Sequence, residues 1–116
     1  MSKALELYKA LIDGLAEQKD SVTARWVKED GFPRTDDNKA KNEFLAALTP
    51  EQRVVLAEII QDEYTAGIHD TLAYLNEKMD LEGLELHQDG EILPNDEFES
   101  LHYDFISRCE GDEWPE

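Results

Sequence analysis

Three pairs of side chains in this sequence have types and spacings that could do chemistry. His69-Asp70 sets an imidazole beside a carboxylate able to orient it, the pairing from which a general base is built. Glu99-Ser100-Leu101-His102 has the Glu-x-x-His spacing. On a helix that spacing puts carboxylate and imidazole on one face, as carboxylate-bridged di-metal bundles require. His102 with Cys109 supplies the parts of a thiol nucleophile and its base. Each pair also has a plainer reading. Asp70 suits the first turn of a helix, where an acid complements the dipole. A di-metal site needs a second Glu-x-x-His copy and two further glutamates, so no metal ligands are assigned. His102 and Cys109 would lie about 10 Å apart along a helix axis, too far for a hydrogen bond. Cys109 then reads as a small hydrophobe near a helix end. His69, Asp70 and His102 stand as a candidate polar site with no catalytic role assigned. No cofactor is expected, because glycines are scattered and neither a Gly-x-Ser-x-Gly elbow nor a His-Glu-x-x-His helix occurs.

A second chemistry lies in the charge. The 116 residues hold 28 Asp or Glu and 11 Lys or Arg, a formal net charge of −17. Residues 1–48 carry nine acids and eight bases, whereas residues 49–116 carry 19 acids and only Arg53, Lys78 and Arg108. From Asp80 onward 13 acids face Arg108 alone. Such a surface repels nucleic-acid phosphates and anionic membranes, so neither is an expected partner. It suits a basic protein, because complementary charge speeds encounter and suppresses wrong partners. The candidate contact residues are Glu85, Asp89, Glu91, Asp96, Glu97, Glu99, Asp104, Asp112 and Glu113. Trp114 joins them, an indole among acids that either staples the end of the chain or is presented to a partner. The competing reading makes the acids a solubility coat.

The elements that must position these groups follow from apolar spacing. Ala4, Leu5, Tyr8, Leu11, Ile12 and Leu15 recur at threes and fours, predicting a helix over 3–19. Ser21 caps a short helix to about Lys28 that buries Val22 and Trp26, which leaves Arg25 pointing outward. Thr35 with Asp36 and Asp37 starts a helix to about Leu48 carrying Phe44, Leu45 and Leu48. Thr49-Pro50-Glu51-Gln52 has the form of a capping box with proline at the first helical position. That helix runs to Ala66, Gly67 stops it, and another continues from Ile68 to about Met79. Leu84 to Leu93 alternates around Asp89-Gly90, a hairpin signal, with Gln88 facing Glu91 and Leu86 facing Leu93. Leu84, Leu86 and Leu93 would share its buried face. Asn95 or Asp96 caps a last helix bearing Phe98, Leu101 and Phe105, and Gly111 ends it.

The predicted fold is therefore α+β and mainly α, with five to six helices and one C-terminal β-hairpin, in a single domain over 1–116. Its expected core includes Leu11, Leu15, Phe44, Leu48, Leu56, Ile60, Leu72, Leu75, Leu86 and Phe105. No run of about 18 apolar residues spans a bilayer, and Met1–Leu15 lacks the apolar stretch of a secretory signal. One cysteine allows no internal disulfide. A cytoplasmic protein is expected.

Two stretches carry a resemblance. They are Gly67-Ile68-His69-Asp70-Thr71-Leu72-Ala73-Tyr74-Leu75 and the ending Tyr103-Asp104-Phe105 … Arg108-Cys109-Glu110-Gly111-Asp112-Glu113-Trp114-Pro115. With these the chain resembles a family of small uncharacterised bacterial proteins, a domain of unknown function. The similarity covers most of the chain, including Arg25-Trp26 and Asp89-Gly90. It implies a bacterial source and no activity. The residues themselves favour a non-enzymatic interaction protein, of immunity or inhibitor type, with its acidic region 80–116 turned to a basic partner. A DNA mimic is a stricter alternative, needing carboxylates at about one charge per 1.7 Å of duplex axis. A small enzyme or ligand binder using His69 and Asp70, or Glu99 and His102, is the third.

Overall fold

The computed structural model describes residues 2–115. They gather in two compact units, Met1–Lys19 with Ala66–Glu116, and Asp20–Thr65. The fold is mainly helical with one small antiparallel sheet.

In the first unit α1 spans Lys3–Glu17, its first turn capped by the Ser2 hydroxyl, which accepts from the Leu5 N–H. The α2 helix, Val22–Lys28, and α3, Lys39–Ala46, belong to the second unit. The long α4, Pro50–Leu81, contributes residues 50–65 to the second unit and 66–81 to the first. Strands β1, Leu86–Gln88, and β2, Glu91–Leu93, then form the hairpin, and α5 spans Leu101–Cys109. The hairpin register is the predicted one, Leu86 opposite Leu93 and Gln88 opposite Glu91. Asp89 and Gly90 both take positive φ, 51° and 77°, which a two-residue turn of this hand requires. Tyr8, Ile12, Leu72, Leu93, Leu101 and Phe105 make the first unit's core. They come from α1, α4, β2 and α5, so the hairpin is held by helices, as two strands alone are marginal in water.

The second unit has its own core of Ala24, Val27, Leu45 and Ala57. Ser21 caps α2 as predicted, accepting from the Ala24 N–H. The buried stripe of α2 is not the predicted one. Ala24 and Val27 face inward, Val22 is exposed, and Trp26 lies half-buried against Phe32 with ring centroids 5.7 Å apart. Arg53, from α4, donates to the Val27 and Glu29 carbonyls at 2.6 and 3.0 Å, satisfying acceptors that the end of α2 leaves free. In α3 the same rotation exposes Phe44 and buries Leu45. Its start differs too. Asp36–Asn38 form a 3₁₀ turn, and Thr35 makes no side-chain cap bond.

The capping box at Thr49 is built as read. Thr49 Oγ1 accepts from the Gln52 N–H at 3.1 Å, and Gln52 Oε1 accepts from the Thr49 N–H at 2.9 Å. Thr49→Ala should therefore cost about 1 kcal/mol, read as a lower urea midpoint with an unchanged m-value.

Further expectations are corrected. The helices expected on either side of Gly67 are one, so the helix count falls below the six segments drawn from the sequence. A glycine inside a helix costs about 1 kcal/mol relative to alanine, which packing of α4 within each core outweighs. The Thr71 hydroxyl donates to the Gly67 carbonyl at 2.8 Å, a bond available only because the helix continues. Its stop is Gly83, at φ 74°. Leu84 is exposed and leaves the hairpin's buried face to Leu86 and Leu93, and Leu11 is likewise exposed on α1. The cap of α5 is Ser100, whose hydroxyl accepts from the Tyr103 N–H, rather than Asn95 or Asp96. Phe98 thus precedes the helix. Gly111 ends α5 as expected, at φ 89°, with the Gly111 and Asp112 N–H groups donating back to Arg108 and Ser107.

Candidate functional site

The acidic region is anchored by buried polar groups. Tyr8 on α1 donates its hydroxyl to Asp104 Oδ2 at 2.5 Å, and Asp104 Oδ1 accepts from the Glu99 N–H. Burial, and then the hydrogen bond to and charge of Asp104, push the Tyr8 hydroxyl well above the ordinary tyrosine range. Tyr8 therefore stays protonated and donates. On α4, buried Asn76 accepts through Oδ1 from the Leu101 N–H and from Asn95 Nδ2, both at 3.0 Å. Asn95 also donates to Asp80 Oδ1. These bonds fix the segment from β2 to the start of α5, which carries Asp96, Glu97 and Glu99.

Asp104 is thus a core residue at 4% exposure, its two carboxylate oxygens engaged by Tyr8 and the Glu99 N–H. Glu85, Asp89, Asp96, Glu97, Glu99, Asp112 and Glu113 are exposed, and Glu91 is half-exposed. Glu85 lies 3.1 Å from His87 Nε2, and Asp112 Oδ2 accepts from the Ser107 hydroxyl. Trp114 is docked. Its indole N–H donates to the Asp13 carboxylate, and its ring packs on Tyr8 and Phe98 at 6.0 and 4.9 Å. The Arg108 guanidinium sits 5.3 Å from the Trp114 ring while its Nε donates to Asp13 at 2.6 Å. The tail is stapled by an aromatic and ionic cluster, not held out.

That docking shapes a cavity of about 390 Å³ between the Glu97–Glu99 segment, α5 and the tail. Glu97, Glu99, Asp104, Glu113 and Trp114 line it together with Phe98 and Tyr103. Five of the ten candidate contact residues thus meet at one concavity, while Glu85, Asp89 and Glu91 lie along the hairpin. Phe98, expected on the apolar face of the last helix, and Tyr103 are not among the candidate contact residues read from the sequence. The signal available was their spacing around Glu97 and Glu99, but it reads equally well as core.

The polar candidates are placed differently from their expectation. His69 and Asp70 lie inside α4, so Asp70 caps nothing. His69 Nδ1 and Asp70 Oδ1 are 3.0 Å apart. Glu99 precedes α5, so it does not share a helix face with His102. His102 instead meets His69 edge-on, with centroids 5.2 Å apart, and its Nδ1 is buried with no hydrogen-bond partner. Two imidazoles and one exposed carboxylate make no nucleophile and base set. No group of three or more His, Cys, Asp or Glu among the described residues could hold a metal ion. Cys109 packs against the first unit's core. No helix among them is long and apolar enough to cross a membrane.

No curated protein and no solved structure matches this chain. A family model, that of the family of unknown function DUF6547, matches residues 1–116. The acidic ending with its docked tryptophan and the long central helix are therefore parts of one matched unit of sequence, and the chain belongs to the DUF6547 family.

Proposed function

We propose that this protein is a non-enzymatic interaction module whose acidic region, 80–116, engages a basic protein partner, in the manner of an immunity protein or inhibitor. One observation carries the reading. Of the twelve carboxylates in residues 80–115, ten are exposed and Glu91 is partly so, with only Asp104 committed to the core. Taking charges to the surface in this number and leaving them largely unpaired costs the fold self-repulsion, which a cationic partner relieves. Within this unit Lys78 pairs with Glu82, and Arg108 pairs with Asp13 outside the acidic region. The encounter is placed in the cytoplasm, where a chain with a single cysteine needs no disulfide.

The test is retention of proteins from a lysate at low and at moderate salt. A variant carrying Glu85→Gln, Asp89→Asn, Glu97→Gln, Glu99→Gln and Glu113→Gln runs beside the natural chain. The natural chain should retain a basic protein, and the retained amount should fall by roughly tenfold or more in the variant or on raising salt to about 0.3 M. The variant should unfold at a urea midpoint no lower than that of the natural chain, because every altered side chain is at the surface and neutralising it eases repulsion. Retention that ignores both salt and neutralisation overturns the reading. Competition by duplex DNA for the retained protein would convert it into the DNA-mimic form.

A further inference from the structure

The charge of region 80–116 says which kind of partner approaches but not where it is held. The cavity beside α5 supplies an anchor. We propose that it receives the guanidinium of one arginine side chain from the basic partner. This deepens the acidic-surface reading and rests on it.

Three features of the cavity select that group. Its carboxylates Glu97, Glu99 and Glu113 are exposed, and no ion pair joins them to a base among the described residues. Phe98, Tyr103 and Trp114 line it beside them. Tyr103 is 58% exposed and turned to solvent at the rim. Aromatic side chains beside carboxylates suit a planar, weakly hydrated cation that can stack and fork at once, which is guanidinium rather than ammonium. The volume, about 390 Å³, lies in the range of ligand pockets and takes one long side chain with water to spare.

The rings already behave as cation acceptors inside the chain. Lys9 Nζ lies 5.4 Å from the Phe98 ring and 5.8 Å from Trp114, and Arg108 stacks on Trp114. Arg108 is the one base lining the cavity, and it is committed elsewhere. Its Nε donates to Asp13 and its Nη1 donates to the Asp112 carbonyl at 2.7 Å. It holds the tail that forms the cavity wall and leaves the three glutamates unanswered. Asp104 acts from below. By accepting from the Glu99 N–H it fixes the rim without offering its own charge to solvent.

The probe is ethylguanidinium, with ethylurea as its neutral counterpart, followed by amide and indole NMR of the ¹⁵N-labelled chain. At up to about 20 mM the probe lies far below the molar concentrations at which guanidinium salts unfold proteins. Ethylguanidinium should move the Trp114 indole N–H and the Glu99 and Tyr103 amides, and ethylurea should not. Glu97→Gln, Glu99→Gln and Glu113→Gln together, or Tyr103→Ala, should weaken binding by roughly threefold or more. Glu85→Gln, Asp89→Asn and Glu91→Gln on the hairpin should leave it unchanged. Unmoved Trp114 and Tyr103 signals, or equal movement along the hairpin, overturn the proposal. An octa-arginine peptide separates the two levels. If it binds while ethylguanidinium leaves the cavity unmoved, the anchor fails and the acidic surface stands. If ethylguanidinium fills the cavity but no basic protein is retained from lysate, the acidic-surface reading fails and the guanidinium site stands.

Discussion

Phe105→Ala should destabilise the first unit by about 3–5 kcal/mol, whereas Phe44→Ala should stay within about 0.5 kcal/mol. Phe105 has no exposed surface and touches the core built from Tyr8, Ile12, Leu72, Leu93 and Leu101. Removing its ring forfeits the transfer free energy of the side chain and leaves a void between α1 and α5, which close packing cannot wholly collapse. Phe44 is 58% exposed on α3, so its truncation removes little buried area. The measurement is urea unfolding followed by tryptophan fluorescence. Trp114 reports the first unit and Trp26 the second, so Phe105→Ala is read in a Trp26→Phe background and Phe44→Ala in a Trp114→Phe background. Equal losses at the two positions would mean that the second core extends to Phe44.

That contrast also marks how far the sequence could be read. Phe44 and Leu45 are adjacent apolar residues on a short helix, and spacing alone allows the buried stripe to pass through either. The choice is made by Ala24, Val27 and Ala57, on α2 and α4, which accept Leu45. The same ambiguity moved the stripe of α2 from Val22 and Trp26 to Ala24 and Val27. Features settled within a few residues were legible. The Thr49 capping box, the Asp89-Gly90 turn and the hairpin register depend on neighbours two to seven positions apart. Gly67 and Asn95 were misread because their outcomes are decided at a distance. The helix continues through Gly67 because both halves of α4 are packed. Asn95 declines to cap α5 because Asn76 and Asp80, 19 and 15 residues earlier, bind it instead. At the candidate site the acids and Trp114 were visible as composition. The cavity was not, since it exists only once Ser100 rather than Asn95 starts α5 and leaves Phe98 outside the helix. Asp104 shows the limit most directly. Nothing in its neighbourhood distinguishes it from the surface acids around it until Tyr8, 96 residues away, lies against it.

The Tyr8–Asp104 pair yields the second large effect, and it is a pH effect. In the unfolded chain Tyr8 titrates near pH 10, and in the fold its hydroxyl is held well above that by burial and by Asp104. A group whose folded value is raised contributes stability that is complete below the unfolded value. That stability is lost as pH climbs toward the folded value. Stability should therefore fall above about pH 10, by up to about 1.4 kcal/mol per pH unit from this residue. Tyr8→Phe removes the ionisable hydroxyl and should flatten that slope, measured by urea unfolding at pH 8 and pH 11. At pH 8 the same variant should lose about 1–3 kcal/mol, because Asp104 is left buried without its strongest donor. Asp104→Ala leaves the Tyr8 hydroxyl with the weaker, 3.4 Å approach to the Ser100 carbonyl, strands the Glu99 N–H, and should cost a similar amount. The double variant should cost less than the sum, since the partners' unmet bonds vanish together. If Tyr8→Phe leaves the alkaline slope intact, the slope arises from lysine deprotonation and Tyr8 is not its source. If the two single losses simply add, the bond does not join α1 to α5. The rim of the acidic cavity, which hangs from Asp104 through the Glu99 amide, would then lack the support assigned to it.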